Sequence, residues 1–469
     1  MRDKQVRKAS PSRVSECKVF SHSALWLWSV LVETLRLLGL LFPGRLRRFF
    51  EERKSYKKEL EKIRSLRGQH KHSVLFFCSS AGEYEQARPL LEHWQEKSVL
   101  CTLVFFSPSG KSYAKTQREQ NIFFLSPLDT LWDWKALFEA AQPDATLVVR
   151  HELWPCFLHI ASIYSTLYLL NASQGSRPLS RWGSFLRSHL LSYFSAIHSV
   201  SEKDAQFFKN LLPANSKTSI FVSGDSKFDR VIQRSAAKKD RVAEIKAELD
   251  RAFPSKPLRL TLGSAWPADV ELGLEAFLSY KNANKSSLAG REDSVGSISS
   301  KPPRVLQCII VPHQPNQVHL AEIQQNCQSK RLSCILFSEL KNYKAEGPIK
   351  DVVIVDAMGW LCELYGASDL AFVGGAMHHQ VHNVLEPASH GLSIAFGPLY
   401  QNSHEAIKLV EASLACSVRD TTELLTWITK HLARPADKTS VLQFLEKEAQ
   451  ASKKMISQIE QASLLKQQE

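Results

Sequence analysis

The stretch VLFFCSSAGEYEQARPLLEHWQEKSVLCTLVFF, residues 74–106, decides the fold of this chain. An apolar run stands at each end, VLFFC and LCTLVFF, and between them lies a segment with apolar residues at helical spacing. A strand, a helix and a second strand in this order predict a parallel βαβ unit. The turn after the first strand, 80–83, also has the S-x-x-E pattern of a helix capping box.

Glu83 has two interpretations on this local pattern. In a capping box, the Ser80 side chain accepts the N–H of Glu83, and the Glu83 carboxylate accepts the N–H of Ser80. A carboxylate at the carboxyl end of a parallel strand is also well placed to act as a general base. A base must be free to take a proton, so the catalytic interpretation predicts that Glu83 makes no tight bond to the Ser80 N–H.

The alternation of strand and helix continues along most of the chain. Seven runs before residue 225 have the composition of strands buried on both faces: VLFFC, LCTLVFF, NIFFL, ATLVV, TLYLLN, AIHSV and SIFVSG. A charged helix at 240–253 precedes a second series: LRLTLGS, VLQCIIVP, SCILFS, DVVIVDA, LAFVGG and LSIAFG. We therefore predict two doubly wound α/β domains, at 71–230 and 231–437, with ligands in the cleft between them.

Two other segments have distinct compositions. Residues 283–303 are rich in serine, glycine and asparagine, which predicts a disordered surface insertion. Residues 438–469 are rich in lysine, glutamate and glutamine, which predicts a C-terminal helix with a solvated face. The nine cysteines are scattered without a C-x-x-C pair, so the sequence indicates a reducing compartment and suggests no zinc site.

The first 70 residues are basic, with 17 lysines and arginines against 7 acidic residues in a chain of net charge +13. Residues 24–42 are apolar apart from a few positions and approach the roughly 20 residues that a spanning helix needs. Glu33 and Arg36 share one helix face there and can pair. We expect a helix that spans the inner membrane or lies on it, with 44–58 at the cytoplasmic headgroups. Packing on the protein's own core is the alternative, and no motif indicates a nucleic-acid partner.

Polar and glycine-rich residues follow strand after strand, most clearly in VGGAMHHQVHNVLEP, residues 373–387. The pair Gly374 and Gly375 allows backbone to approach a ligand, and a helix start after it can bind an anion. Glu386 can bind ribose hydroxyls, or it can belong to a helix cap formed with Asn383. The histidines of this loop lack a carboxylate or thiolate at helical spacing, so no metal site is predicted.

In this order, the motifs resemble the 3-deoxy-D-manno-octulosonic acid (Kdo) transferases of lipopolysaccharide synthesis. The resemblance covers nearly the whole chain and implies a GT-B fold, with two Rossmann-like domains facing a central cleft plus an N-terminal membrane-associated helix. The motifs are S-x-G-E at 80–83, E-L-W-P at 152–155, N-A at 171–172, S-E-x-D at 201–204, G-x-x-K-F-D at 224–229, D-x-M-G at 356–359, an F-V-G-G segment ending at 375, H-N-x-L-E-P-A at 382–388 and G-P at 397–398.

The resemblance implies an inverting, metal-independent transfer of Kdo from CMP-Kdo to a lipid A precursor, lipid IVA, without a cofactor and at the cytoplasmic face of the inner membrane. Glu83 matches the family's base, and Lys227 is a candidate to stabilise the leaving phosphate. The positions that match acceptor binding are Ser80, Gly82, Glu152 and Arg177. The positions that match donor binding are Lys227, Ser264, His313, Met358, Gly359, Gly374, Gly375, His382, Asn383 and Glu386.

Several positions depart from the family's pattern and indicate a divergent member. Phe77 and Trp266 replace histidines, and Arg150 replaces a glutamate. The family's P-R-H-P-x-R is PHQPNQ at 312–317, so two arginines are missing. A charge-assisted contact contributes roughly 1.5–3 kcal/mol, and Arg150 is a candidate to restore one charge. A GT-B enzyme with another nucleotide-sugar donor and a catalytically inactive lipid-binding relative are the alternatives.

Overall fold

The computed structural model describes residues 21–41, 44–54, 56–116, 122–175, 180–289, 305–343, 349–434 and 437–462. The chain forms two compact units, and it passes from one to the other between Arg230 and Val231. Unit 1 comprises residues 1–230 and 448–469, and unit 2 comprises residues 231–447.

Unit 1 is built on a parallel seven-stranded sheet in the order β3-β2-β1-β4-β5-β6-β7. Each of the seven runs predicted from the sequence forms a strand. The strands are β1 Ser73–Cys78, β2 Leu100–Phe105, β3 Ile122–Leu125, β4 Ala145–Val149, β5 Thr166–Ala172, β6 Ala196–Ser199 and β7 Ser219–Val222. The helices are α1 His22–Leu41, α2 Arg45–Lys54, α3 Tyr56–Arg67, α4 Ala81–Glu96, α5 Pro108–Thr116, α6 Leu131–Ala141, α7 Pro155–Tyr164, α8 Arg181–Leu191 and α9 Glu202–Leu211. A tenth helix, α10 Ser226–Ala237, begins in unit 1 and continues into unit 2 from Val231.

Helices cover both faces of this sheet, which explains why β1 contains almost no polar side chain. Successive side chains of a strand point to opposite faces. Leu75 and Phe77 pack in the core that contains α3, α6 and α7 residues. Phe76 and Cys78 pack in the opposite core, against α4.

Unit 2 repeats this architecture, with strand order β10-β11-β9-β8-β12-β13-β14. The six predicted strands are present, and a short one, β14, was not predicted. The strands are β8 Leu258–Ala265, β9 Leu306–Pro312, β10 Cys334–Leu336, β11 Val352–Ile354, β12 Leu370–Val373, β13 Ser393–Phe396 and β14 Ala415–Ser417. The helices are α11 Lys239–Ala252, α12 Pro267–Ala289, α13 Gln317–Ser329, a 3-10 helix Phe337–Asn342, α14 Leu361–Gly366, α15 Leu385–Ala388, α16 His404–Glu411, α17 Thr421–Ala433 and α18 Lys438–Glu448.

Each sheet has one position, the switch, at which the chain reverses its direction of winding. In unit 1 this switch lies between β1 and β4, which pair in parallel. In unit 2 it lies between β8 and β12, which also pair in parallel. Ligands of open α/β sheets bind at the carboxyl ends of strands beside such a switch.

Helix α1 confirms the helix predicted over 24–42, and the Glu33–Arg36 pair forms, with Nε and Oε2 2.9 Å apart. By length and composition α1 can cross a membrane, which by itself is weak evidence. Ser29 is buried in unit 1, where its hydroxyl accepts the Leu131 N–H at 3.0 Å. Most other apolar side chains of α1 are exposed, Leu27 and Leu31 among them. A narrow face therefore packs on the protein, and a broad apolar face remains uncovered.

Two sequence predictions change in detail. Residues 283–289 belong to α12, whereas 290–303 of the predicted insertion lie outside the described residues. The C-terminal region forms two helices, α18 and α19 Ala451–Ala462. Met455 and Ile459 of α19 are buried in a core of unit 1, so this helix has an apolar packing face in addition to its solvated face.

Candidate active site

Glu83 lies in the first turn of α4, directly after β1, and it takes part in a capping box. Its Oε2 accepts the Ser80 N–H at 3.2 Å and also the Ser79 N–H. The prediction that Glu83 makes no bond to the Ser80 N–H is therefore wrong. The first N–H groups of a helix have no partner within the helix, and a carboxylate at this position satisfies them. Both bonds fall on Oε2, and Oε1 accepts no hydrogen bond within the described part of the chain.

The carboxyl group of Glu83 nevertheless holds its proton more tightly than an ordinary glutamate. Burial raises the pKa of Glu83 to about 7, against the opposing effect of the Ser79 N–H bond. The carboxylate of Glu152 raises it further, whereas Arg150 lowers it. A general base is most effective when its pKa is near the working pH. Capping and base catalysis are thus compatible, because one oxygen caps the helix and the other is available.

Glu152 and Arg150 follow β4, the neighbour of β1 at the switch in unit 1. Arg150 has a left-handed backbone, with φ +69°. Its Nε donates to Gln86 Oε1 at 2.9 Å, and its Nη2 lies 3.5 Å from Asp225 Oδ2. Arg150, which replaces the family's glutamate, is therefore bound to other residues of unit 1. Glu152 accepts the indole N–H of Trp154.

A buried polar network joins the ends of β1, β4, β5 and β7 in unit 1. Asp225 Oδ1 accepts Gln86 Nε2 at 3.0 Å and the Lys227 N–H at 2.9 Å. Next to it, Asn171 Oδ1 accepts the Ser226 N–H at 3.0 Å. The sequence interpretation missed Gln86 and Asp225, although Asp225 lies within the G-x-x-K-F-D motif. Lys227 is half-buried in the first turn of α10.

Of the other two predicted acceptor positions, Gly82 and Arg177, the structure describes only Gly82. Gly82 is exposed in the first turn of α4, and the nearest atom to an added Cβ is Ser80 Oγ at 3.8 Å. Arg177 lies outside the described residues.

In unit 2, Asp269 joins the two strand ends at the switch. Its Oδ2 accepts the Trp266 N–H at 2.9 Å, after β8, and the Gly375 N–H at 2.8 Å, after β12. Asp269 is buried, and its Oδ1 has no hydrogen-bond partner within the described residues. The sequence analysis did not identify Asp269, although Trp266-x-x-Asp269 has the spacing of a helix-start cap.

The glycine pair after β12 has a packing role that the sequence did not reveal. A Cβ on Gly374 would stand 2.6 Å from Ser264 O and 2.7 Å from Asp269 Oδ2. Gly375 has φ +95°, a conformation that favours glycine. The glycine pair is therefore required because the end of β8 approaches it closely. Ser264, with φ +51°, lies in that end of β8, where the register with β9 shifts.

Aromatic rings from three strand ends stack beside this turn. The rings of Trp266 and His313 are 4.6 Å apart, and those of His313 and His382 are 4.7 Å apart. The Trp266 indole donates to His382 Nε2 at 3.0 Å. Because an indole only donates, His382 is neutral with its proton on Nδ1. Burial lowers the pKa of His382, in agreement with this state. A pocket of about 70 Å³ adjoins Trp266 and His313.

The remaining predicted donor positions lie on two other segments of unit 2. Met358 and Gly359 follow β11 and are exposed, and Gly359 has φ +90°. Asn383 precedes the short helix α15, where its Oδ1 accepts the Leu385 N–H at 3.1 Å. Glu386 is largely buried and lies 3.4 Å from Arg234. Burial raises the pKa of Glu386, and the charge of Arg234 opposes this effect. Within the described ranges, no group of three or more potential ligand side chains is arranged to hold a metal.

Comparison with known proteins shows which family this chain resembles. The model of the 3-deoxy-D-manno-octulosonic-acid transferase (kdotransferase) family matches residues 47–230. The transferase of that name from Aquifex aeolicus is 24% identical over 366 residues, which cover 77% of this chain and 87% of the relative. The transferase of that name from Chlamydia trachomatis serovar A is 27% identical, over 75% of this chain and 76% of the relative. This chain is therefore similar to Kdo transferases over most of its length.

A solved structure gives the fold independently of the family match. UDP-GlcNAc 2-epimerase from Neisseria meningitidis covers 83% of this chain with a TM-score of 0.52, at 13% sequence identity. This chain thus has the GT-B-like fold of two units with parallel sheets that its sequence predicts.

Proposed function

We propose that this chain moves Kdo from CMP-Kdo to a hydroxyl group of a lipid A precursor, lipid IVA, with inversion. The observation that carries the proposal is the Glu83 carboxyl group, which has a pKa of about 7 at the switch between β1 and β4. This is the position at which the family's motif places its base.

In the proposed reaction, Glu83 Oε1 takes the proton of the acceptor hydroxyl as its oxygen forms a bond to the anomeric carbon of Kdo. The bond from that carbon to the CMP phosphate oxygen breaks, and the electron pair leaves with CMP. A sugar hydroxyl is a weak nucleophile, so removal of its proton by a positioned base contributes roughly 10²–10⁴-fold in rate. Ser80 holds Glu83 in place through the capping box, and burial, with a smaller contribution from the charge of Glu152, keeps the pKa of Glu83 high.

The donor residues fall into three roles. In unit 2, the backbone around the turn Gly374–Gly375 supplies N–H groups for the CMP phosphate. Lys227, in unit 1, keeps the role that its family motif implies, which is to stabilise the leaving phosphate. His382 supplies an Nδ1–H donor, and His313 stacks beside it. Ser264 shapes the same turn, and Met358, Gly359, Asn383 and Glu386 surround the nucleotide. Glu386 suits a ribose hydroxyl because a carboxylate accepts hydrogen bonds only.

We further propose that the acceptor is met at the cytoplasmic face of the inner membrane. The exposed apolar face of α1 and the basic flank 44–58 support this placement. Following the family motifs, Ser80, Gly82, Glu152 and Arg177 are the residues proposed to bind the acceptor.

A transfer assay tests the proposal. Detergent-solubilised full-length protein is incubated with CMP-Kdo and lipid IVA, and the product is analysed by mass spectrometry. We expect Kdo addition by the wild type and a rate lower by about 10²–10⁴-fold for Glu83→Gln. The control Glu96→Gln alters an exposed glutamate of the same helix and should leave the rate unchanged.

Two outcomes separate the parts of the proposal. Product from another nucleotide-sugar donor, with none from CMP-Kdo, would overturn the donor assignment. The missing arginines, replaced by His313 and Gln317, make this comparison informative. A wild-type rate for Glu83→Gln would overturn the base assignment while leaving the reaction in place.

A further inference from the structure

A polar cavity of about 240 Å³ lies in unit 1 at the packing of α1, α2 and α3 with the start of α6. Three basic residues line it, one from each of the first three helices: Arg36, Arg53 and Lys57. Two acidic residues, Glu33 and Asp133, also line it. The cavity contains none of the proposed catalytic, donor-binding or acceptor-binding residues.

Both acidic residues of the cavity are already engaged. Glu33 pairs with Arg36, with Oε2 and Nε 2.9 Å apart. Asp133 Oδ1 accepts the hydroxyl of Tyr56 at 2.6 Å. Glu33 and Arg36 offset each other's charge, whereas Asp133 keeps its charge because the Tyr56 hydroxyl is neutral. With three basic and two acidic residues, the lining carries a net charge of +1.

Donors remain on the basic side chains. Arg36 Nη1 is buried and has no hydrogen-bond partner in the described part of the chain. Lys57 is exposed, and no ion pair of its ammonium group is found among the described residues. An unpaired buried donor is costly, so a ligand that accepts hydrogen bonds and carries negative charge is favoured here.

Arg53 is the third basic residue that lines the cavity. It is buried, it donates from Nη2 to the carbonyl oxygen of Phe106 at 2.9 Å, and its guanidinium lies 4.0 Å from the ring centroid of Phe49. These contacts fix its position but leave its positive charge without a carboxylate partner at hydrogen-bond distance among the described residues. That charge adds to the attraction for an anion.

The apolar surroundings indicate what carries the anion. Helix α1, which supplies Arg36, exposes Leu31, Leu35 and Leu38 to about half of their full extent. Trp132, which lines the cavity, is 40% exposed. A charged cavity next to a helix with exposed leucines matches a molecule with a phosphate headgroup and acyl chains.

We propose that this cavity binds the phosphate of a membrane glycerophospholipid. Arg36 Nη1 and Lys57 donate to the phosphate oxygens, Arg53 contributes charge, and the acyl chains lie along the exposed leucines of α1. This lipid is a bound structural ligand and is neither donor nor acceptor. The inference holds whether or not the chain transfers Kdo.

Vesicle flotation at 0.15 M salt tests the proposal. Full-length wild type, Lys57→Gln and Lys62→Gln are compared on phosphatidylcholine vesicles that contain phosphatidylglycerol. Lys62 is the matched control, because it is an exposed lysine of the same helix α3, lies outside the basic flank 44–58 and does not line the cavity. Loss of a charge-assisted contact should weaken binding of Lys57→Gln by about tenfold. The Lys62→Gln variant should bind at most about twofold more weakly, since salt screens a surface charge outside the site.

The outcomes are distinct. Equal weakening by both variants, or none by either, overturns the proposal, because binding would then follow the general surface charge or the apolar face alone. A second arm titrates dihexanoyl-phosphatidylglycerol and inorganic phosphate by calorimetry. Binding of inorganic phosphate without binding of the short-chain lipid also overturns the proposal. So does an effect of Lys57→Gln that is confined to the KM for lipid IVA, because the occupant of the cavity would then be the acceptor.

Discussion

Arg150 Nε donates a 2.9 Å hydrogen bond to Gln86 Oε1, three residues along α4 from Glu83. The family has a glutamate where this chain has Arg150. The substitution therefore places a positive charge beside the proposed base, and this charge lowers the pKa of Glu83. Asp225 completes the arrangement, since it contacts both Gln86 and Arg150.

Removal of the charge on Arg150 should shift the pH dependence of transfer. In Arg150→Gln the pKa of Glu83 rises, because the opposing charge is lost and burial and Glu152 remain. The acidic limb of the profile of kcat/KM should move to higher pH by up to about one unit. Arg419→Gln is the control, since Arg419 lies on the surface of unit 2. A shift to lower pH would contradict the electrostatic role of Arg150.

The wild-type profile should itself rise with pH through about 7. Glu83 acts as a base only when it is ionised, and burial raises its pKa to about 7. Below that value kcat/KM should fall about tenfold per pH unit. Steady-state rates between pH 5 and about 9 test this expectation. A profile that is flat down to pH 5 would mean that Glu83 is not the titrating group.

Glu83 also makes the folding stability depend on pH, and the direction of this dependence is opposite to that of an ordinary ion-paired glutamate. Its pKa is about 7 in the folded chain and about 4.3 when unfolded, so between these values the folded state binds more protons. The stability that this group contributes is present below pH 4 and is lost as the pH rises to 7. Glu83→Gln should remove this dependence, so its Tm relative to wild type should increase from pH 5 to pH 8.

Two glycines should respond oppositely to alanine. A Cβ on Gly374 meets Ser264 O and Asp269 Oδ2, so Gly374→Ala should destabilise unit 2 by roughly 1–3 kcal/mol.

Gly82 has free space within a helix, and Gly82→Ala should stabilise the protein by about 0.5–1 kcal/mol. Denaturant unfolding measures both. If Gly82→Ala is stable but has a higher KM for lipid IVA, the acceptor comes close to this residue, and an unchanged KM would remove Gly82 from the acceptor site.

Asp269 should be essential for the turn that carries the donor residues. Asp269→Ala leaves the N–H groups of Trp266 and Gly375 without their acceptor, which should cost about 2–3 kcal/mol and raise the KM for CMP-Kdo. Asp269→Asn keeps an acceptor oxygen, so it should lose less stability than Asp269→Ala and its KM for CMP-Kdo should rise less. Equal losses in the two variants would show that charge, rather than hydrogen bonding, is what the turn requires.

Much of the architecture was predictable because its signals are local. Strands buried on both faces must be apolar throughout, so most of β1 to β13 appear as short apolar runs between helical segments. The prediction of burial on both faces is wrong for β7, where Ser219 and Val222 are exposed. Strand β14 was missed because Ala415–Ser417 is too short to form such a run. The second face of α19 was missed because its charges dominate the composition, whereas Met455 and Ile459 are recognisable as core residues only once the helix is placed on unit 1.

The sequence by itself determined the order of the strands along the chain, the family motifs and the identity of the residues at the strand ends. Only the tertiary structure decided which groups those residues meet. Residues 83, 150 and 225 are far apart in the chain, and the parallel sheet brings their elements to one edge. Burial there raises the pKa of Glu83 while it caps a helix, and Asp269 binds two turns together. The pKa of a carboxyl group and the partner of an N–H depend on atoms within a few ångströms, and the folded chain alone defines those neighbours.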